Sequence, residues 1–346
     1  MRILFPRTGD LNLPNHLSIK PSKLATGVWI EPANHLVTGN LKNWAEFAGV
    51  ESIRIPGYWM CKTGSETPFG SAPRPDEKVV YYLHGGGYIR MSAHPNALTS
   101  AIPQNLVQLS DSVTRVLSLE YRLASTKPFP DAHPFPTQLL DALAGYNYLV
   151  SVAGFEPKNI IVAGDSAGGN LAHALTQYLV EHQDSQDVPI PNPPGALLLI
   201  CPWVDVSDSC VRDGENRKNA ASDYLKSPGN YDYPRAAFLG PHGLSLAENS
   251  HYISPASLLP TVKTNFKNFP RTFINAGGAE VLIETIRIYR DRMVEELGEG
   301  DGVGKGDGKV RYFEMPDGVH DYVGFNWFEP ERTLTFQEIK RWFEVS

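Results

Sequence analysis

One serine, Ser166, lies at the centre of the pentapeptide GDSAG at positions 164–168. The apolar run 158–163 before it is typical of a buried strand, and the run 169–179 after it, rich in Ala and Leu, is typical of a helix. A strand, a sharp turn with glycine two residues before and after a serine, and a helix are the context of a nucleophile elbow. A larger residue at either glycine position would collide with its neighbours in so sharp a turn. The pattern therefore predicts a serine hydrolase.

A second glycine-rich motif, HGGG at positions 84–87, follows another strand-like run at 78–83. Acyl transfer places negative charge on a carbonyl oxygen, and backbone N–H groups aimed at that oxygen stabilise it. Glycine lets the backbone approach a substrate closely. We therefore expect the amides of Gly86, Gly87 and Ala167 to form an oxyanion hole. Gly85 is a substitute donor, because the sequence does not orient individual N–H groups.

His320 is the predicted general base. A serine hydroxyl is a weak nucleophile until an imidazole takes its proton, and a carboxylate orients that imidazole. On a fold with a nucleophile elbow, the chain order is serine, then acid, then histidine. Of the ten histidines, His320 is the last, and it lies in a loop after the strand-like run 310–314. It is the only histidine downstream of a suitable acid.

The predicted acid is Glu280, which follows the strand-like run 271–275 by a short turn. An acid just beyond a strand end can reach the sheet edge at which the histidine is expected. Glu284 is the alternative, although it lies one helical turn further and is more typical of a solvated helix charge. Asp317 and Asp321 flank His320 too closely in sequence to orient its far nitrogen, so we interpret them as loop-capping residues.

Together these motifs resemble those of the hormone-sensitive-lipase group of α/β-hydrolases, an esterase family defined by HGGG and GDSAGG. The resemblance spans roughly residues 75–325 and includes EYRLA at 120–124, PFP at 134–136 and CPWVD at 201–205. The HGGGY form of the first motif, here ending in Tyr88, is similar to the fungal-type branch. The resemblance implies an α/β-hydrolase fold: a mostly parallel central sheet with helices on both faces and a helical cap.

Two departures from the family pattern stand out. The family usually has Asp followed by Pro-Leu where this chain has Glu280-Val281-Leu282, and the loop at 125–133 is longer here. Glutamate is one methylene longer than aspartate, yet it serves the same role elsewhere on this fold. Neither departure removes a catalytic group.

Alternating strand-like and helix-like stretches predict one α/β-hydrolase domain over residues 1–346, with a catalytic core at about 50–206 and 252–346. The first sheet strand is predicted at 50–55, because residues 1 to about 45 show no convincing core strand. In the resembled family, the segments corresponding to about 1–45 and about 207–251 form a cap over the nucleophile. With Tyr88 and Trp203 the cap would line an apolar, substrate-binding pocket, which favours an acyl or otherwise hydrophobic substrate.

Composition excludes several classes of function. The net charge is −7 with scattered charges, so no basic face indicates nucleic-acid binding. No apolar run approaches a membrane span, and the N-terminus lacks a signal-peptide core. Three cysteines give no disulfide framework and favour a cytoplasmic location. Histidines and cysteines are not clustered in the sequence, so we expect neither a metal nor a cofactor.

The leading interpretation is a carboxylesterase-type serine hydrolase that cleaves esters of short-to-medium acyl chains or other hydrophobic small molecules through a Ser-His-Glu triad. Two alternatives stay open on the same fold. One is an acyl-transfer, cyclising or condensing tailoring enzyme of fungal secondary metabolism, because a dry, capped pocket could exclude water from the acyl-enzyme. The other is a non-catalytic ligand receptor, which the retention of Ser166 and His320 disfavours. The expected partner is a small-molecule ester, and a homodimer is a possible assembly.

Overall fold

The computed structural model describes residues 18–65, 70–210, 219–225 and 229–345, and within the last range it describes no side chains for 229–231. An eight-stranded sheet in the order β1-β2-β4-β3-β5-β6-β7-β8 forms the centre. Its strands are β1 Thr26–Ile30, β2 Ile55–Cys61, β3 Lys78–Leu83, β4 Val113–Leu119, β5 Ile160–Asp165, β6 Ala196–Ile200, β7 Arg271–Gly277 and β8 Val310–Met315. Strands β3 to β8 run parallel, whereas β2 pairs antiparallel with both β1 and β4. The predicted, mostly parallel α/β architecture is thereby confirmed.

Helices cover both faces of the sheet. They are α1 Gly39–Ala48, α2 Ala101–Leu109, α3 Thr137–Asn147, α4 Ser166–His182, α5 Gly229–Leu239, α6 Gly243–Asn249, α7 Ile283–Leu297 and α8 Glu331–Glu344. Strand β3 shows how the sheet separates two cores: Val79 and Tyr81 pack with residues of α3, α4 and α7, whereas Val80 and Tyr82 pack with residues of α2 and α8. Because successive side chains of a strand point to opposite faces, a strand buried on both sides reads as one continuous apolar run.

The sequence prediction was wrong at the first strands. Residues 50–54 are not in a strand; β2 begins at Ile55 and extends to Cys61, and β1 lies within the segment predicted to lack a core strand. Pro56 and Gly57 interrupt the apolar sequence pattern of β2, although this strand is buried between the strands β1 and β4. In the edge strand β1 only Ile30 is fully buried, so its hydrophobic signal is weak.

The two segments predicted to form a cap touch each other. The ring of Phe47 in α1 lies 5.0 Å from that of His242, which follows α5. Residues 1–17, 211–218 and 226–228 of these segments lie outside the described residues, so the cap and the domain division stay predictions. Among the residues that the structure describes, no helix is both long and apolar enough to cross a bilayer.

Candidate active site

Ser166 is the first residue of α4 and follows directly on β5. Its φ is +52°, a left-handed backbone conformation that is unusual for a residue other than glycine and is often found at functional sites. A Cβ at Gly164 would lie 2.3 Å from the carbonyl oxygen of Gly168, and a Cβ at Gly168 would lie 2.0 Å from that of Leu83. Neither position has space for a side chain, which is the physical reason for both glycines of the motif.

The structure brings Ser166, His320 and Glu280 together, although they are far apart in the sequence. His320 Nε2 lies 2.9 Å from Ser166 Oγ, and His320 Nδ1 lies 2.7 Å from Glu280 Oε2. The exposed fractions are 8% for the serine, 2% for the histidine and 0% for the glutamate. The imidazole thus connects a hydroxyl at the cleft with a fully buried carboxylate.

Two loops are joined so that the acid faces the base. Gly278 N donates to Met315 O at 2.7 Å, and Ala279 N donates to Gly318 O at 2.9 Å, which ties the turn after β7 to the turn after β8. Glu280 Oε1 accepts a hydrogen bond from Gly277 N at 2.7 Å. Both carboxylate oxygens of Glu280 therefore have partners.

Glu284, the alternative acid, lies in the first turn of α7 and forms an ion pair with Arg287 at 2.8 Å. It is half-exposed on the helix surface, and its carboxylate is directed to that arginine rather than to His320. Of the two candidate acids, the structure brings only Glu280 to the imidazole.

Gly86 and Gly87 line the cleft beside Ser166, with φ values of +109° and +62° that favour glycine. The amide of Ala167 belongs to the first turn of α4, where N–H groups have no partner within the helix. Gly85 differs, because its N–H donates to Asp165 Oδ1 at 2.9 Å inside the protein. That internal bond argues against Gly85 as the substitute donor.

A cleft lies directly in front of Ser166. Trp203 lies in its wall, as predicted from the sequence. The wall is otherwise mainly apolar and includes Met91, Leu98, Ile102, Leu225, Pro234 and Phe325. Such a space suits a small ligand with a hydrophobic body.

Tyr88, which the sequence predicts to bind substrate, lies in the protein interior. Tyr88 is fully buried, its ring stacks on Phe238 at 3.9 Å, and its hydroxyl donates to Asn170 Oδ1 at 2.7 Å. The backbone φ of +63° at Tyr88 accompanies a side chain that packs inward, away from the cleft. Tyr88 thus supports the loop that carries Gly86 and Gly87.

Burial and charge act together on the two titratable members of the site. Burial raises the pKa of Glu280, and its hydrogen bond with His320 opposes that effect. Burial alone would lower the pKa of His320, but the carboxylates of Asp321 and Glu280 outweigh it and raise the pKa well above the usual imidazole range. The site therefore favours a protonated imidazole.

A second buried acid, Asp165, lies directly before the serine. It accepts hydrogen bonds from the hydroxyl of Tyr82 and from Gly85 N. Burial, and then the charge of Asp321, raise the pKa of Asp165 to about 8. Because the protein favours the neutral acid here, Asp165 adds no full negative charge behind the nucleophile at neutral pH.

Three residues near the imidazole were not identified from the sequence. Asp321 Oδ2 lies 3.2 Å from His320 Nε2, contrary to the interpretation of Asp321 as a capping residue. Asp223 accepts from Val281 N at 2.8 Å and so holds the turn of the acid. Cys201 contributes a buried thiol whose sulfur lies within 4.8 Å of a ring nitrogen of His320 and of a carboxylate oxygen of Glu280. These side chains are distant in the sequence, and the fold brings them together because it joins the ends of β6, β7 and β8.

Comparisons with known proteins relate the chain to esterases of one fold family. A family model described as the alpha/beta hydrolase fold matches residues 80–323. Esterase LipU from Mycobacterium tuberculosis is 29% identical over 265 residues, which cover 76% of this chain and 76% of that protein. An esterase from Acinetobacter venetianus is 25% identical over 272 residues, which cover 76% of this chain and 73% of that protein. The crystal structure of a hormone-sensitive lipase from a metagenome library aligns with a TM-score of 0.60 at 24% identity, covering 83% of this chain and 81% of that one.

Proposed function

Since the chain belongs to the alpha/beta hydrolase fold family and is a carboxylesterase-type hydrolase, we propose that it cleaves carboxylic esters through Ser166, His320 and Glu280. The observation that carries the proposal is the continuous pair of hydrogen bonds from the serine hydroxyl through the imidazole to a buried carboxylate. That arrangement is what nucleophilic catalysis by serine requires.

In the proposed mechanism, Ser166 Oγ attacks the ester carbonyl carbon while its proton passes to His320 Nε2. Glu280 accepts the hydrogen bond from Nδ1–H, fixes the tautomer that leaves Nε2 free to accept a proton, and stabilises the imidazolium that forms. The imidazolium then donates its proton to the leaving alkoxide, which departs as the alcohol. Water repeats the sequence on the acyl-serine, and the carboxylic acid is released.

The amides of Gly86, Gly87 and Ala167 are the proposed oxyanion hole. Gly86 and Gly87 line the cleft beside the nucleophile, and Ala167 follows the nucleophile as the second residue of α4. Donors at these positions would stabilise the negative oxygen of both tetrahedral intermediates. The HGGG motif thus takes the role that it has in the hormone-sensitive-lipase-like esterases, and the HGGGY form is the basis for placing the chain in their fungal-type branch.

We propose a substrate with a short-to-medium acyl chain or another hydrophobic group, because apolar side chains form most of the cleft wall. Pro234 of α5 packs over the glycine loop, where a Cβ at Gly87 would come within 3.3 Å of it. This contact supports a cap contributed by the segments about 1–45 and about 207–251. The depth of the cleft under that cap would limit the acyl length.

Hydrolysis of p-nitrophenyl esters from acetate to palmitate tests the proposal. We expect the wild type to hydrolyse the shorter esters and Ser166→Ala and His320→Ala to lose at least about 10³-fold in kcat while keeping the wild-type melting temperature within a few degrees. A folded Ser166→Ala variant with wild-type activity would overturn the proposal. An acyltransferase would instead transfer the acyl group to added alcohols in preference to water, and a receptor would leave Ser166 unlabelled by a fluorophosphonate.

A further inference from the structure

Asp321 makes a contact with the imidazole that the hydrolytic mechanism above does not use. Its Oδ2 lies 3.2 Å from His320 Nε2, on the same nitrogen that faces Ser166 Oγ at 2.9 Å. Glu280 meets the other nitrogen. Both edges of the ring therefore face a carboxylate, and the nitrogen that must accept the serine proton has a carboxylate oxygen beside it.

The local structure gives Asp321 no other evident task. It is the residue before the short 3-10 helix Tyr322–Gly324, a position at which aspartate commonly caps, yet within the described chain its side chain makes no capping hydrogen bond. Its second oxygen, Oδ1, is buried without a hydrogen-bond partner among the residues that the structure describes. The backbone φ of +50° places the residue in the left-handed region. An uncapped helix start, a strained backbone and an unpaired oxygen are costs that a functional contact would offset.

We propose that Asp321 is a second carboxylate of the catalytic centre: by contacting Nε2 it retains a proton on His320 in the resting enzyme and restricts activity to the alkaline side of neutrality. This inference rests on the proposed function. A neutral imidazole presents a lone pair at Nε2, and an ionised Asp321 repels that lone pair but attracts an N–H. The contact is therefore favourable only when one proton lies between the two groups.

The consequence for the reaction follows from the proton balance. Ser166 can transfer its proton to Nε2 only after the resting imidazolium has lost a proton to solvent, so the nucleophile becomes available as the pH rises. During turnover, Nε2 gains the serine proton, and Asp321 stabilises that imidazolium until the leaving alkoxide takes the proton. At low pH, Asp321 thus keeps His320 protonated, so that it cannot accept the proton of Ser166. At high pH, Asp321 stabilises the imidazolium that forms during turnover.

Five other titratable groups also lie near the ring. They come from the ends of β5, β6 and β7 and from the segment 219–225, and they are Asp165, Cys201, Glu280, Asp223 and Tyr224. Asp321 and Ser166 both make a polar contact with Nε2 itself. The raised pKa of His320, to which the carboxylates of Asp321 and Glu280 both contribute, agrees with the proposed contact.

Two substitutions test the role of Asp321 without disturbing its backbone. Asparagine and glycine both tolerate positive φ, so Asp321→Asn removes the charge and Asp321→Gly removes the whole side chain. Asp317→Asn is the matched control, because it removes the same formal charge from an exposed position four residues away. Each protein is assayed with p-nitrophenyl butyrate from pH 5 to pH 10, and the titration of the His320 ring is followed by ¹H–¹³C NMR.

In both Asp321 variants we expect two midpoints to shift to lower pH by about 1–2 units: that of the acidic limb of kcat/KM and that of the NMR titration of His320. A shift of this size is usual when one adjacent opposite charge is removed. The control should keep both midpoints. Two pH units below the midpoint of the wild-type limb, a variant with an unchanged plateau would then be about 10–50-fold more active than the wild type. Unchanged midpoints in both variants would overturn the proposal. A wild type that hydrolyses no ester would refute the proposed function instead, and the NMR titration would still decide whether Asp321 holds the proton.

Discussion

The substitution Glu280→Gln tests the role of the acid with almost no change of shape. In the wild type, Oε1 accepts from Gly277 N at 2.7 Å and Oε2 faces His320 Nδ1 at 2.7 Å. Glutamine has one oxygen for these two donors. If the oxygen stays on Gly277 N–H, its NH2 group faces Nδ1, and the imidazole must then carry its proton on Nε2, where it cannot accept one from Ser166.

The opposite orientation of the glutamine amide keeps the active tautomer but places an NH2 group against Gly277 N–H. Leaving that buried amide unpaired costs about 1–3 kcal/mol. Even then, no negative charge would stabilise the imidazolium. For the loss of such an acid we expect kcat to fall about 10⁴-fold, or about 5.5 kcal/mol of transition-state stabilisation.

Hydrolysis of p-nitrophenyl butyrate measures the effect, and thermal unfolding verifies that the variant is folded. Glu284→Gln is the matched control, because it makes the same change one helical turn away, on the residue that pairs with Arg287. We expect the control to keep kcat within about threefold of the wild type, as for a partly exposed ion pair. A folded Glu280→Gln variant with more than about one-tenth of the wild-type kcat would refute the assignment, as would a large loss in Glu284→Gln alone.

Three further predictions concern the surroundings of the nucleophile. Gly86→Ala should lower kcat about 10²–10³-fold, because the new Cβ would lie 2.3 Å from the carbonyl oxygen of Arg90 and displace the loop; an unchanged kcat would contradict this. Tyr88→Phe should lower the free energy of unfolding by about 1–3 kcal/mol, because Asn170 loses a buried donor, whereas a rise in KM for short esters would restore Tyr88 as a substrate contact. Burial raises the pKa of Asp165 to about 8 from 3.8, so the folded state binds the proton more tightly than the unfolded state. The free energy of unfolding should therefore fall as the pH rises from about 4 to 8. In urea unfolding at several pH values, this fall should be less steep for Asp165→Asn than for the wild type, by up to about 1.4 kcal/mol per pH unit. An equal pH dependence of the two proteins would refute the shift.

Several elements could be predicted from the sequence because their local signals agree with the tertiary structure. The run 78–83 matches β3 residue for residue, since this strand is buried on both faces and reads as an apolar run. The elbow was equally clear, because strand, glycine spacing and helix all indicate the same turn. By contrast, β1 and β2 were missed because an edge strand and a strand with an internal Pro-Gly pair carry weak patterns.

The details of the site depend on backbone directions that the sequence does not encode locally. Glu280 and Glu284 are one turn apart, and the hydrogen bonds between the two loops decide which of them reaches His320. A left-handed backbone accompanies the inward packing of Tyr88, and an internal bond to Asp165 occupies the amide of Gly85. Asp321 was interpreted as a loop-capping residue because it directly follows His320 in the sequence, but its side chain contacts the Nε2 atom of that histidine.

Covalent trapping of the nucleophile tests the central claim most directly. The protein is treated with a fluorophosphonate, and intact mass, peptide mapping and residual esterase activity are measured on the same samples. We predict one adduct per chain, located on Ser166, with activity lost in proportion to labelling and no adduct on Ser166→Ala. A fully labelled protein that still hydrolyses esters, or an adduct on another residue that abolishes activity, would contradict the assignment of Ser166 as the nucleophile.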